Sequence, residues 1–253
     1  MIEETIRAAD TVSLSVVLPA YNEEAKIGRD LERLFAYLEG QPDVAEILVV
    51  DDGSTDRTAE IVRRFGETRK NLRLLVLDKN RGKGCAVKTG VLAARGRYIL
   101  VVDAGSCVPF ENLERGLGLL KKGRWHAALG SRTASGAVIR RRQPILRRAG
   151  AWLFRRMVRL AMGLPGRIDT QCGFKLFERG AARAIFARNR VDGFMFDVET
   201  VLNARKLGLR LAEFPVDWTS DPDTRFRLVR GTLRNLKDLA RIRLGIRGGK
   251  KGE

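Results

Sequence analysis

Four short stretches in the first 105 residues carry the polar side chains that could do chemistry: PAYNEE (19–24), DDGSTD (51–56), DKNRGKG (78–84) and VVDAG (101–105). Glu23 and Asp52 offer carboxylate acceptors for the N–H edge and ribose hydroxyls of a nucleotide. In NRGKG, Gly82 and Gly84 can bring backbone N–H groups close to an anion, and Lys83 adds a cation. Asp103 can face a ribose and a divalent cation, because hard ions such as Mg2+ often take only one or two protein carboxylates, with substrate phosphates and water filling the remaining positions. This set suits a nucleoside diphosphate donor. In many enzymes that handle such donors the strand ends in two carboxylates one residue apart. Here the second position is Gly105.

Spacing excludes several other chemistries. PAYNEE has no glycine to admit a pyrophosphate to the following helix, which removes a dinucleotide-binding dehydrogenase, and no GxxxxGK[ST] occurs. Cys85, Cys107 and Cys172 lie far apart without a CxxC pair, against both a disulfide framework and a zinc site. That usage suggests a reducing compartment. Cys172 has no histidine near it in sequence, and His126, the single histidine, opens an apolar run and is expected to be structural.

The elements that must position these residues follow from the apolar pattern. Strands are expected at 13–20, 46–54, 72–78 and 97–104, separated by helices at 24–39, 56–70 and 84–95. Continuous apolar strands alternating with amphipathic helices imply an α/β fold with a largely parallel sheet covered on both faces. Ligands of such sheets sit at the carboxyl ends of the strands. A helix cap explains Asn22 or Asp56 taken alone, and a tight turn explains Gly53. Four polar strand ends in register point to a site. The second half is less regular: a fifth strand at 125–132 ending in Arg132, a glycine-containing loop at 133–143, the segment DTQCGFKLF (169–177), a helix around 193–208 and a strand at 210–216.

The chain has 253 residues, and 48 Lys+Arg against 30 Asp+Glu give it a formal charge of +18. Such a chain seeks polyanions. Nucleic acid is not the expected one: no nucleic-acid motif is present and only 7% of residues are aromatic. No window approaches the roughly 18 apolar residues of a membrane span. Two basic stretches have helical periodicity. In 144–165, Leu146, Ala149, Leu153, Met157, Leu160, Ala161 and Leu164 oppose Arg148, Arg155, Arg156 and Arg159, with Trp152 near the boundary. Near the C-terminus, Val229, Leu233, Leu236 and Ala240 oppose Arg227, Arg230, Arg234, Lys237 and Arg241. An ordinary helix packing its apolar face on the core explains each; docking on an anionic leaflet explains both.

VVLPAYNEE, VVDDGSTDRT, NRGKGCAVKTG, VVDA, ALGSR and DTQCGFKLF together resemble the inverting family 2 glycosyltransferases of the GT-A fold, over roughly residues 13–220 and in the family's order. DTQCGFKLF is the narrower signal and is most similar to the dolichyl-phosphate (polyprenyl-phosphate) glucosyltransferase branch. The resemblance implies a catalytic domain over 1–224, a basic helix and tail over 225–253, and sugar transfer from a nucleotide sugar, UDP-glucose before GDP-mannose, to a lipid phosphate. It places Pro19, Ala20, Tyr21 and Glu23 around base and ribose and Asp52 beside the base. Gly82, Lys83, Asp103 and Ala104 complete the nucleotide site. Asp103 becomes the first acid of the family's DxD motif and the ligand of Mg2+ or Mn2+, with Gly105 a departure from it. Arg132 would grip a phosphate, and Asp169, Gln171 and Lys175 would line the sugar pocket.

Two alternatives stand beside this reading: a relative that has lost activity with the second acid, and a soluble transferase acting on a hydroxyl, which would need a base such as Asp197 or Glu199. A lipid phosphate is already an anion and needs no strong base. The expected location is the cytoplasmic face of a membrane, held peripherally, through a membrane-protein partner, or with a second copy of the chain.

Overall fold

The computed structural model describes residues 12–41, 45–105, 107–141, 145–164, 168–220 and 235–244. Strands β1 (Leu14–Ala20), β2 (Ala45–Asp51), β3 (Leu72–Val76) and β4 (Tyr98–Val102) alternate with helices α1 (Ile27–Glu39), α2 (Thr58–Thr68) and α3 (Lys83–Ala93). Then come α4 (Asn112–Lys121), β5 (Ala127–Ser131), β6 (Val138–Arg141), α5 (Ile145–Met162), β7 (Phe174–Glu178), α6 (Arg179–Arg188), α7 (Phe196–Lys206), β8 (Leu211–Pro215) and β9 (Asp217–Thr219). Residues 235–244 form a last helix, α8.

Seven strands make the central sheet in the order β3-β2-β1-β4-β7-β5-β8. The first four are parallel, as the apolar runs imply. The expectation of a largely parallel sheet needs one correction: β7 is antiparallel to both β4 and β5. Val102 at the end of β4 faces Phe174 at the start of β7. An antiparallel strand enters the sheet where its parallel neighbour leaves it, so the segment before β7 reaches the ligand edge.

Both faces of the sheet are buried, since alternate strand residues point to opposite sides. Val16, Leu18, Ile47, Val49 and Leu100 join the core cluster that holds Leu31, Leu34 and Phe35 of α1 and Leu113 and Leu117 of α4. Val17, Leu48, Val50, Ile99 and Val101 join the other, with Val87 and Val91 of α3, Phe186 of α6, and Val198 and Val201 of α7.

Several details depart from the sequence pattern. The 133–143 loop contains β6, which pairs with β9 in a second, two-stranded sheet. Helices α4 and α6 were not anticipated; each has 10 residues, and they bury Leu113, Leu117 and Leu120, and Ala182, Ile185 and Phe186, against opposite faces of the sheet. In α8 the buried side chains are Asn235, Asp238, Leu239 and Ile242, while Leu236 and Leu244 are exposed. The expected stripe through Leu236 and Ala240 therefore faces outward. Likewise in α5, Val158 and Met162 are buried and Trp152, Met157 and Leu160 are exposed. Arg243 of α8 donates to the Ala161 carbonyl at 2.6 Å, so the two helices lie side by side. Arg227, Val229, Arg230, Leu233, Arg234 and the expected boundary at 224 lie outside the described residues.

Two glycine positions separate packing from propensity. A Cβ on Gly90 of α3 would collide with Val17 and Val50, whereas one on Gly66 of α2 would meet nothing within 4 Å. Gly90→Ala should lower unfolding free energy by about 1–3 kcal/mol through overpacking. Gly66→Ala should raise it by about 0.5–1 kcal/mol. Urea denaturation of the two variants gives shifts of opposite sign if α3 sits on the sheet as described.

Candidate active site

The loops after β1 and β2 are laced together. The Asn22 backbone N–H donates to Ser54 Oγ (2.8 Å), and Asn22 Oδ1 accepts from the Thr55 N–H (2.7 Å). Glu23 N–H donates to Thr58 Oγ1 at 2.7 Å. Asn22 has φ 53°, and an asparagine tolerates this left-handed conformation better than most residues. Pro19 and Ala20 close β1 opposite Val50 and Asp51, and Tyr21 stands partly exposed at the rim. Pro19, Ala20, Tyr21 and Glu23 thus form one edge with the DDGST loop.

Asp52 has a different setting from the one expected. It is buried, and its two oxygens accept the backbone N–H groups of Arg81 and Gly82, both at 2.8 Å. Burial pushes its carboxyl above the usual range against the opposing pull of those bonds. The Gly84 N–H donates to the Asp192 carbonyl at 2.7 Å. The Gly82 and Gly84 amides are therefore committed inside the protein. Their lack of side chains serves packing: a Cβ on Gly82 (φ 117°) would strike the Asp192 carbonyl, and one on Gly84 that of Val191. From this tight loop, at the first residue of α3, Lys83 projects toward the end of β4.

Three ion pairs meet there. Lys83 Nζ lies 2.7 Å from both carboxylate oxygens of Asp103. Lys175 Nζ donates to Asp197 Oδ1 at 2.7 Å and to the Cys172 carbonyl at 2.5 Å. Arg132 grips Asp169 with Nε and Nη2, each at 2.8 Å, and its own N–H adds a third bond at 3.0 Å. Bidentate pairs of this kind fix geometry as well as charge. The Arg132 guanidinium also lies 5.5 Å from the Trp218 ring centroid. Burial works against charge at Asp103 and Asp169, but Lys83 and Arg132 respectively prevail and hold both carboxyls below the ordinary range. At Asp197 burial wins over Lys175 and the shift is upward.

The DTQCG segment makes this convergence possible. The Asp103 N–H donates to the Gly173 carbonyl at 3.0 Å, and any Cβ on Gly173 would overlap the Asp103 carboxylate. Gln171 sits partly exposed in the turn before it, away from any described partner, and Ala104 follows Asp103 in the β4 turn. Burial pushes the Cys172 thiol up to about 12, which leaves it unreactive. Asp197 is committed to Lys175, and Glu199 accepts the N–H groups of Arg190 and Val191, each at 2.9 Å.

Gly105, where a second acid would stand, has φ 98°. A side chain there is strained, so an aspartate could not simply be restored. Its N–H donates to Asp30 Oδ2 at 2.6 Å. Asp30 is a buried carboxylate on α1 that the motif reading missed. Its signal was present: it shares a helix face with Ile27, Leu31 and Leu34, where an apolar residue is expected. Trp218 and Glu213, whose carboxylate accepts the Asp169 N–H at 3.0 Å, were also missed, because both come from β8 and β9 far along the chain.

Among the described residues no group of three or more His, Cys, Asp or Glu could hold a metal ion. Asp103, at the end of β4, is a partly exposed hard oxygen donor at the sheet's ligand edge. That fits a cation that takes one protein carboxylate and completes its shell with substrate phosphates and water.

A sheet that ends four parallel strands in acid- and glycine-bearing loops, with a single acid facing lysine after β4, has the build of a GT-A glycosyltransferase. The same fold is found in mannosyl-3-phosphoglycerate synthase from Rubrobacter xylanophilus (TM-score 0.69, 18% identity, 98% of this chain and 78% of that one). It is found also in glucosyl-3-phosphoglycerate synthase from Mycobacterium tuberculosis, a structure in complex with Mn2+, UDP and glucosyl-3-phosphoglycerate (TM-score 0.66, 20% identity, 97% and 84%). The family model described as Glycosyl transferase family 2 matches residues 15–186, and the chain belongs to that family. It is 36% identical over 246 residues to a dolichyl-phosphate beta-glucosyltransferase from Dictyostelium discoideum (92% of this chain, 75% of that one). It is 35% identical over 248 residues to the Homo sapiens protein of that name (92% and 76%).

Gly173→Ala should displace the Asp103 carboxylate from Lys83. Sugar transfer should fall on the order of 100-fold, the penalty of misplacing a positioned group by about 1 Å. Far-UV circular dichroism should be unchanged. Wild-type kcat/KM in this variant would mean that the Asp103 position is not needed.

Proposed function

We propose that the protein transfers glucose from UDP-glucose to the phosphate of dolichol or another polyprenol, with inversion at the anomeric carbon. One observation carries the choice of acceptor. Asp169, Asp197 and Glu199, the acids available to act as a base, are all committed to Arg132, Lys175 and backbone N–H groups. An acceptor that arrives as an anion needs none of them. The names of the relatives support the same acceptor and sugar, and the mycobacterial neighbours with UDP and UDP-glucose support the donor.

In this reading a phosphate oxygen attacks the anomeric carbon from one face. The bond from that carbon to the diphosphate oxygen breaks on the other, and its electron pair leaves with UDP. Arg132, held by Asp169 and Trp218, binds the acceptor phosphate without having to reorganise. Pro19, Ala20, Tyr21 and Glu23 border the base and ribose, while Asp52 shapes the loop that carries Lys83. Gln171 lines the sugar side, and Lys175, expected there too, is buried with its ammonium on Asp197. Held by Asp103 and the donor diphosphate, Mg2+ or Mn2+ would offset the charge gained by the leaving group.

No helix among the described residues is long and apolar enough to cross a membrane. Leu236 and Leu244 of α8 and Trp152, Met157 and Leu160 of α5 are nonetheless exposed, beside Arg156, Lys237, Arg241 and Arg243. This combination suits the surface of an anionic bilayer on its cytoplasmic side, where a lipid phosphate is presented. In this reading the catalytic unit runs to about residue 224 and the basic tail follows it.

Incubation with radiolabelled UDP-glucose and either dolichyl phosphate, 3-phosphoglycerate or soluble sugars should label the lipid alone. Arg132→Gln should then lower kcat/KM about 100- to 1000-fold, as loss of an oriented charged donor does elsewhere. Label in 3-phosphoglycerate instead would sink the lipid assignment. In flotation assays the protein should bind anionic vesicles at low salt and be released as salt rises. Replacing Arg156, Arg159, Lys237 and Arg241 by Gln should halve binding or more, and equal binding to neutral vesicles would refute the electrostatic part.

A further inference from the structure

The Lys83–Asp103 pair occupies the oxygen atoms that a metal ion would need. Lys83 Nζ is 2.7 Å from each Asp103 oxygen, so the ammonium sits where a cation bound by both oxygens would sit. The Lys83 ammonium also lies over the Phe196 ring, 5.8 Å from its centroid. Among the described residues the neighbouring acids are engaged elsewhere: Asp197 is held by Lys175 and Asp169 by Arg132. Position 105 is a glycine at φ 98°, and the nearby carboxylate of Asp30 is buried and already accepts the Gly105 N–H. Lys175 and Arg132 add further positive potential at Asp103. A divalent cation approaching the nucleotide-free protein therefore meets at Asp103 a carboxylate already paired with Lys83, with the Lys175–Asp197 and Arg132–Asp169 pairs beside it.

We propose that Lys83 is the resident counter-ion of Asp103, and that a divalent cation gains this carboxylate only after a nucleoside diphosphate has drawn the ammonium away. This rests on the nucleotide-sugar reading above. The diphosphate brings at least two negative charges and several oxygens, which compete for the ammonium at the end of its flexible stem. Once Lys83 turns to the diphosphate, Asp103 is a free carboxylate beside phosphate oxygens, and the ion has a full set of hard ligands. Binding is then ordered, donor before metal. The lost second acid explains the need: the ion depends on the donor for the ligands that the chain does not supply. By reciprocity, UDP should raise Mn2+ affinity by the factor by which Mn2+ raises UDP affinity, on the order of 10- to 100-fold.

The test is Mn2+ binding, followed by the electron paramagnetic resonance signal of the free ion, for wild type, Lys83→Met and Lys83→Arg, with and without UDP. Melting curves establish that each variant is folded. Without UDP, wild type and Lys83→Arg should bind Mn2+ weakly and Lys83→Met at least about 10-fold more tightly. With UDP the wild type should approach Lys83→Met. In a Lys83→Met/Asp103→Asn double variant the gained binding should vanish. Nucleotide-free wild type binding Mn2+ as tightly as Lys83→Met would overturn the proposal, as would Mn2+ retained by the double variant. If UDP itself failed to bind, the proposed activity would fall, and the nucleotide-free comparisons would still decide the role of Lys83.

Discussion

The antiparallel entry of β7 between β4 and β5 is the constraint on which the site depends. Had β7 run parallel, its first residues would lie at the opposite edge of the sheet, far from Asp103. Running antiparallel, it sets Phe174 against Val102 and Lys175 against both Val101 and Leu129. The DTQCG turn then falls over the end of β4, where Gly173 leaves room for the Asp103 carboxylate. Arg132, just past β5, meets Asp169 for the same reason.

The six charges gathered there, three carboxylates and three cations, balance in the ligand-free protein. Such pairs do not owe their presence to stability. The desolvation that accompanies burial offsets most of the attraction between partners, and packed apolar groups would often serve as well. What they provide is a set of charges already desolvated and oriented before a substrate arrives, which is the condition for strong electrostatic stabilisation of a leaving group. The pairs differ in freedom. Arg132 and Lys83 each lie over a ring, but Arg132 is locked by a planar bidentate grip on Asp169, whereas Lys83 reaches its carboxylate on a flexible chain.

The glycines around the site serve close approach of protein to protein. Gly82 and Gly84 admit the 191–192 backbone, Gly53 admits the backbone at Lys79, and Gly173 admits a side chain. A glycine-rich loop with a lysine reads in sequence as a phosphate cradle; here its amides are consumed by Asp52 and Asp192. The distinction lies in residues outside the loop, Asp52 upstream of it and Asp192 more than a hundred positions downstream.

The α/β alternation of the first half, the parallel course of β1 to β4 and the strand ends that carry Glu23, Asp52, Lys83 and Asp103 were all legible in the chain. Those follow from local apolar periodicity and from the rule that parallel sheets bind at their carboxyl edge. The motif string also sufficed to indicate the family. The strand order, the antiparallel insertion of β7, the short strands β6 and β9, the outward face of α8 and the partners of each charge emerge only in the folded molecule. Asp30 beneath Gly105, Trp218 against Arg132 and Asp197 with Lys175 are contacts between elements distant in the chain. Periodicity tells which face of an element is buried; it carries no information about which distant residue that face will meet.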